Sequence, residues 1–253
     1  MTTTNMTGAG RYKLLHLLEQ KEGYSAYAAL DIETSTRPAV LINVYHSPES
    51  IRCMVSRYFG LEHEQCRDFY RMYTEDGSFT AVFALYDGEK FDDVFVKRGG
   101  PDEEERIAYA ESLLHAALER TGMPAELLAE MLRPQNIVVQ KKNRCVAVNA
   151  AIAPIVQQQI YPVEALSVLL ERILGRKWSV CDEQIEFLDR VKDGKFDTIS
   201  ALYSAWRELQ AALALDKKTF FLTRIIRFIK RRVRQWLEEK KAQRLARKHA
   251  LDD

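Results

Sequence analysis

The dominant hydrophobic period changes near residue 97, and that change constrains the fold more than any other feature. Before it, apolar residues come mostly in short runs broken by turn residues, with one helical stretch among them. After it, they recur mostly at intervals of three and four, around one small hairpin. In the first part, RYKLLHLLEQ and YSAYAALDI flank a polar turn containing a glycine and predict a hairpin. RPAVLINVYH predicts a third strand, short and β-branched. From Pro48 to Tyr73 the spacing is helical, with Ile51, Val55, Tyr58, Phe59 and then Phe69 available for one face. GSFTAVFALYDG gives a further strand pair, ending in the turn dipeptide Asp87-Gly88.

The second part opens with PDEEERIAYAESLLHAALERTG, in which a proline and four acids precede an apolar stripe that stops near Gly122. Acids at the start of a helix complement its dipole, so a helix is predicted here. NIVVQKKNRCVAVN predicts a hairpin turning on Lys141–Asn143, and YPVEALSVLLERILG, DEQIEFLDRVKDG and TISALYSAWRELQAALAL predict three more helices. The expected class is α+β, with a β-rich lobe followed by a helical lobe.

Several motifs, in order and spacing, resemble the protein kinase fold over roughly Arg11 to Leu215. LLAEMLRPQNIVV matches the second half of the kinase catalytic loop H-R-D-L-K-P-x-N-I and the strand after it. LLEQKEGYSAYAALD stands where kinases carry L-G-x-G-x-x-G-x-V-Y-x-A-x-D, with Leu18, Ala26, Tyr27, Ala29 and Asp31 keeping the framework. The resemblance implies a disordered N-terminus at 1–10, an N-lobe at 11–96, a C-lobe at 97–215 and a basic amphipathic helix at 216–253.

The resemblance also shows which parts are missing. A phosphate-binding loop needs residues without side chains so that its backbone can reach the phosphates. Glu19, Lys21 and Tyr24 stand at its three glycine positions. Asn43 replaces the strand lysine that pairs with phosphates. Leu41, two residues earlier on the same strand face, replaces the small alanine that roofs the adenine. Met131 replaces the catalytic aspartate and cannot act as a base. The metal-binding D-F-G becomes Asn149-Ala150-Ala151, and a neutral amide is a poor sole ligand for a hard dication. Asn136, a magnesium ligand in kinases, remains, and its alternative role is to tie the loop through side-chain hydrogen bonds to backbone. Even counted to the end of Pro162-Val163-Glu164, at most 15 positions follow Asn149, too few for a peptide-seating activation segment.

The resemblance, with these losses, implies a catalytically inactive pseudokinase that works as a regulatory or scaffold module, with no cofactor and no metal. The alternative is a divergent ATP-dependent kinase or small-molecule phosphotransferase, with Lys21 as a relocated phosphate lysine. His16, His46, His63, His115 and His249 lack metal-ligand spacing. Cys53, Cys66, Cys145 and Cys181 form no C-x-x-C pair, which points to reduced thiols in the cytosol.

Charge is distributed unevenly. Residues 217–253 hold 13 of the 37 lysines and arginines and 4 of the 36 acids, so a strongly basic tail follows an acidic body. Phe221, Ile225, Phe228 or Ile229, Val233 and Trp236 recur at helical intervals, opposite Arg227, Lys230, Arg231, Arg234 and Lys241. Such a helix binds an anionic membrane surface or a protein partner, or docks on its own body. Nucleic acid is not expected, because the rest of the chain is acidic. The polar start MTTTNMTGAG has no signal-peptide core, and no run approaches the roughly 18–20 apolar residues of a membrane span. The expected location is cytoplasmic, with peripheral attachment at the inner face of the membrane.

Overall fold

The computed structural model describes residues 6–8, 10–36, 38–95, 100–155, 161–175 and 182–216, and position 233. Its first lobe is a six-stranded antiparallel sheet ordered β1-β2-β3-β4-β6-β5. The strands are β1 (Met6–Thr7), β2 (Tyr12–Lys21), β3 (Tyr24–Asp31), β4 (Ala39–Tyr45), β5 (Phe69–Glu75) and β6 (Ser78–Ala84), with helix α1 (Pro48–Tyr58) packed on one face.

The predicted β2–β3 hairpin forms, and Glu22-Gly23 makes its turn. Gly23 has φ +69°, and a Cβ there would meet Ser47 Oγ at 2.5 Å, so only glycine fits. The turn also anchors α1: Ser50 Oγ donates to the Gly23 carbonyl at 2.9 Å, while Ser47 and Ser50 form a capping box.

The helix expected up to Tyr73 stops at Tyr58. Phe59 caps it in an extended conformation, Gly60 follows at φ +85°, and Phe69 begins strand β5. An aromatic spacing suited to one helix face is here shared between a helix and a strand. The rings of Tyr58, Phe69 and Phe83 still meet, at 6.3 Å and 5.3 Å. GSFTAVFALYDG supplies one strand, not two. Its partner is β5, and the hairpin closes at Asp76-Gly77, both at positive φ, instead of at Asp87-Gly88. The N-terminal boundary also shifts, because Met6–Thr7 pairs with Tyr12–Lys13 as β1. Thr7 Oγ1 and the Gly8 N–H both donate to Glu75 Oε2 at 2.7 Å, so this part of the segment expected to be disordered joins the sheet.

The second lobe contains α2 (Phe91–Phe95), α3 (Glu103–Leu118), α4 (Ala125–Met131), α5 (Pro162–Leu174), α6 (Asp182–Lys192) and α7 (Ile199–Asp216). A small sheet of β7 (Glu89–Lys90), β8 (Ile137–Gln140) and β9 (Cys145–Val148) completes it. The acidic start of α3 is a capping box, Asp102 with Glu105. The β8–β9 hairpin turns on Lys141–Asn143 as predicted, with Arg144 in the left-handed region. Leu166, Leu169, Leu170 and Ile173 of α5 are fully buried, and α3, α4, α6 and α7 all pack on this helix. One apolar core runs through both lobes.

Among the described residues no helix is long and apolar enough to cross a membrane. The basic segment 217–249 lies outside the described residues except for Val233, which is helical and half exposed.

Candidate functional site: the cleft between the lobes

β4 carries Asn43 on the face that looks toward the second lobe. The side chain is fully buried. Its Oδ1 accepts from the Tyr24 hydroxyl at 2.7 Å and from the Ile152 N–H at 3.1 Å. Its Nδ2 donates to the Ala150 carbonyl at 2.8 Å. A neutral amide, with two donors and an acceptor, can tie two strands and a loop together in a site closed to water.

Tyr24 is fully buried beside it, with its ring 5.4 Å from that of Tyr45. The Tyr45 hydroxyl donates to the Ile152 carbonyl at 2.7 Å and lies 3.0 Å from the Tyr58 hydroxyl of α1. Burial pushes the Tyr24 and Tyr45 phenols far above the ordinary tyrosine range, and does the same to Tyr58 against the opposing effect of its hydrogen bond with Tyr45. Kinases pair their strand lysine with a glutamate on the adjoining helix. The one acid of α1 is Glu49, exposed in the first turn, and the buried residues of this helix are Ser50, Met54 and Tyr58. Leu41, two residues before Asn43, is buried in the core opposite Phe83.

Glu19 lies on the same face of the sheet. Two bulges in β2, at Leu15 and at Leu18, offset each other in phase, so Leu17 pairs with Tyr27 on the outer face and Glu19 with Ala26 on the inner one. There it accepts from Arg133 Nη2 at 3.1 Å and 3.3 Å and from Lys21 Nζ at 2.8 Å. Burial opposes its ionisation, but the hydrogen bonds and charges of Lys21 and Arg133 outweigh that and hold its carboxyl below the usual range. Arg133 also binds Glu130 Oε2 at 2.7 Å. Lys21, considered as a relocated phosphate lysine, is half exposed and paired with Glu19.

Met131 is the last residue of α4, with its side chain fully buried in the core. Asn136 ties its loop: Nδ2 donates to the carbonyls of Glu130 at 2.8 Å and Ala151 at 3.0 Å. Asn149 turns toward the connector between the lobes and not toward Asn43. Its Oδ1 accepts from the Tyr86 N–H at 2.8 Å, and its Nδ2 donates to the Tyr86 carbonyl at 3.1 Å. The backbone of Ala150 and Ile152, not Asn149, meets Asn43. Among the described residues no group of three or more histidine, cysteine or acidic side chains is placed to hold a metal ion.

A second polar knot closes the connector side. The Tyr86 hydroxyl donates to Asp68 Oδ1 at 2.6 Å, and Arg120, at the end of α3, pairs with Asp68 Oδ2. Arg133, Tyr45, Tyr86, Asp68 and Arg120 carry no signal of these roles in the sequence. Arg133 alone stands within a recognisable motif, at the lysine of the kinase catalytic loop.

No protein-family model and no curated protein sequence matches the chain. Its backbone is similar to solved kinase structures. One is the crystal structure of Rad53 residues 1–466 in complex with AMP-PNP, with a TM-score of 0.57 and 13% identity over 78% of this chain and 66% of that one. Another is the Mycobacterium tuberculosis PknI kinase domain, with a TM-score of 0.54 and 13% identity over 82% of this chain and 99% of that one. The chain spans just under two thirds of the Rad53 chain and nearly all of the PknI domain. At this identity the likeness concerns the backbone: the chain has the two-lobed, α+β protein kinase-like fold.

Proposed function

We propose that this chain is a pseudokinase, a kinase-like body without phosphotransfer activity that works as a regulatory or scaffold module. The observation that carries this reading is Asn43. The position that holds a phosphate-binding lysine in kinases bears a neutral side chain whose hydrogen bonds go to Tyr24, Ala150 and Ile152 within the protein. Tyr24 and Glu19, at two of the loop's glycine positions, place a phenol and a carboxylate where a triphosphate would pass. Met131 offers no base and Asn149 no metal-binding carboxylate.

The interaction half of the reading draws on the sequence of the tail. Residues 217–249 join an apolar stripe to a basic face, chemistry suited to an anionic membrane surface or a protein partner.

The test is a thermal shift with ATP and magnesium. A ligand at about 100 times its dissociation constant adds about 2.7 kcal/mol of stability. The expected result is no shift at millimolar nucleotide. A saturable shift at micromolar ATP would instead favour the divergent phosphotransferase, with Lys21 the first residue to replace.

A further inference from the structure

We propose that the β2–β3 hairpin is a strap over the cleft and that Glu19, seated between Arg133 and Lys21, is its latch. The inference goes beyond the pseudokinase reading: Glu19 stands at a glycine position of the kinase phosphate loop and is held there by two cations of this chain.

Packing holds this hairpin only weakly at its far end. From Leu15 to Lys21 every residue of β2 is exposed except Glu19, and Leu15, Leu17 and Leu18 are large apolar side chains left in solvent. β1 covers only Tyr12 and Lys13, so the rest of β2 pairs with β3 alone. A strand in that position frays readily unless something else ties it down.

The tie crosses from one lobe to the other. Arg133 lies 114 residues from Glu19 in sequence, and its side chain is only 16% exposed. Its Nε is buried without a partner, so the guanidinium depends on the two carboxylates it does meet. Glu130 comes from the same lobe, three residues away, whereas Glu19 comes from the strap. Removing Glu19 leaves part of a buried cation uncompensated, which makes the closed position less favourable. The bulge at Leu18 is the local device that aims Glu19 inward. An earlier bulge at Leu15 shifts the alternation by one, and without the second at Leu18 Glu19 would stay on the outer face with Leu17.

Hydrogen exchange of the full-length protein tests the latch without nucleotide. In Glu19→Gln, amides between Leu15 and Ala26 should exchange about fivefold faster, the scale of one partly buried ion pair. Amides of α5 should keep their protection. Glu130→Gln, which removes the other carboxylate from the same arginine, should leave the hairpin as protected as in the parent. The exchanged pair Glu19→Arg with Arg133→Glu should recover at least part of the protection. Unchanged hairpin exchange in Glu19→Gln would overturn the proposal. So would equal loosening in Glu130→Gln, or a uniform rise that includes α5. Micromolar ATP binding would sink the pseudokinase reading but leave the exchange result to be judged by itself.

Discussion

The Asn43 side chain donates to the Ala150 carbonyl at 2.8 Å and so joins the first lobe to a segment 107 residues further along the chain. Replacing it with alanine removes the acceptor for the Tyr24 hydroxyl and the Ile152 N–H, and the donor for Ala150, all in a buried site. Each orphaned group costs about 1–3 kcal/mol. With three groups orphaned, Asn43→Ala should lower stability by at least about 3 kcal/mol, measured by urea unfolding. A loss below about half a kilocalorie would mean that the network contributes little.

Leu170 is fully buried on α5, the helix on which four others pack. Leu170→Ala should cost about 2–5 kcal/mol through lost burial and the cavity left behind. The same denaturation experiment reads it. A near-neutral result would remove α5 from the centre of the lobe.

The pair Arg120–Asp68 is about one-tenth exposed on both sides and also holds the Tyr86 hydroxyl. Arg120→Met strands a buried carboxylate and should cost about 3–5 kcal/mol. Adding Asp68→Asn removes the stranded charge and should recover a large part of that loss. A double mutant no more stable than Arg120→Met alone would show that the arginine acts through packing, not charge.

Tyr24, Tyr45 and Tyr58 have folded-state pKa values raised by burial above the ordinary value of about 10. Below that value the tyrosines are protonated in both states and the stability they contribute is fully present. Above it, the unfolded chain ionises while the folded protein does not, and stability falls as pH rises. Each such tyrosine contributes a slope of up to about 1.4 kcal/mol per pH unit. Urea midpoints should therefore fall steeply between pH 9.5 and 11, both bounds being roughly set by the ordinary tyrosine value. Tyr45→Phe should flatten the fall. An unchanged slope in that variant would assign the alkaline loss to other groups.

The basic tail should carry the protein onto phosphatidylserine-containing vesicles, less so at high salt, and hardly onto neutral ones. Each lysine or arginine near such a surface adds about 1 kcal/mol, screened over roughly 8–10 Å. Replacing Arg227, Lys230, Arg231 and Arg234 with glutamate should abolish co-sedimentation and leave the thermal melt of the body nearly unchanged. No binding at low salt would point to a protein partner. A large loss of stability would place the tail on its own body.

The order of the elements was legible in the sequence because it depends on local periodicity. The switch from strand to helix near residue 97, the hairpin at Glu22-Gly23, the capped start of α3 and the apolar spacing of α5 are each set by neighbours within a few residues. The replaced catalytic positions were legible for the same reason, since a motif is a local string. What tertiary structure decided is where polar groups find partners across long gaps. Phe69 left the helical pattern for a strand because the core accepts an aromatic ring from either element, and Gly60 ended the helix. Glu19 meets Arg133, and Asn149 meets the backbone of Tyr86, only because the packing of one lobe on the other brings them together. A hydrogen bond requires its partners within about 3 Å, whereas sequence patterns record which face a residue occupies, not what stands opposite it.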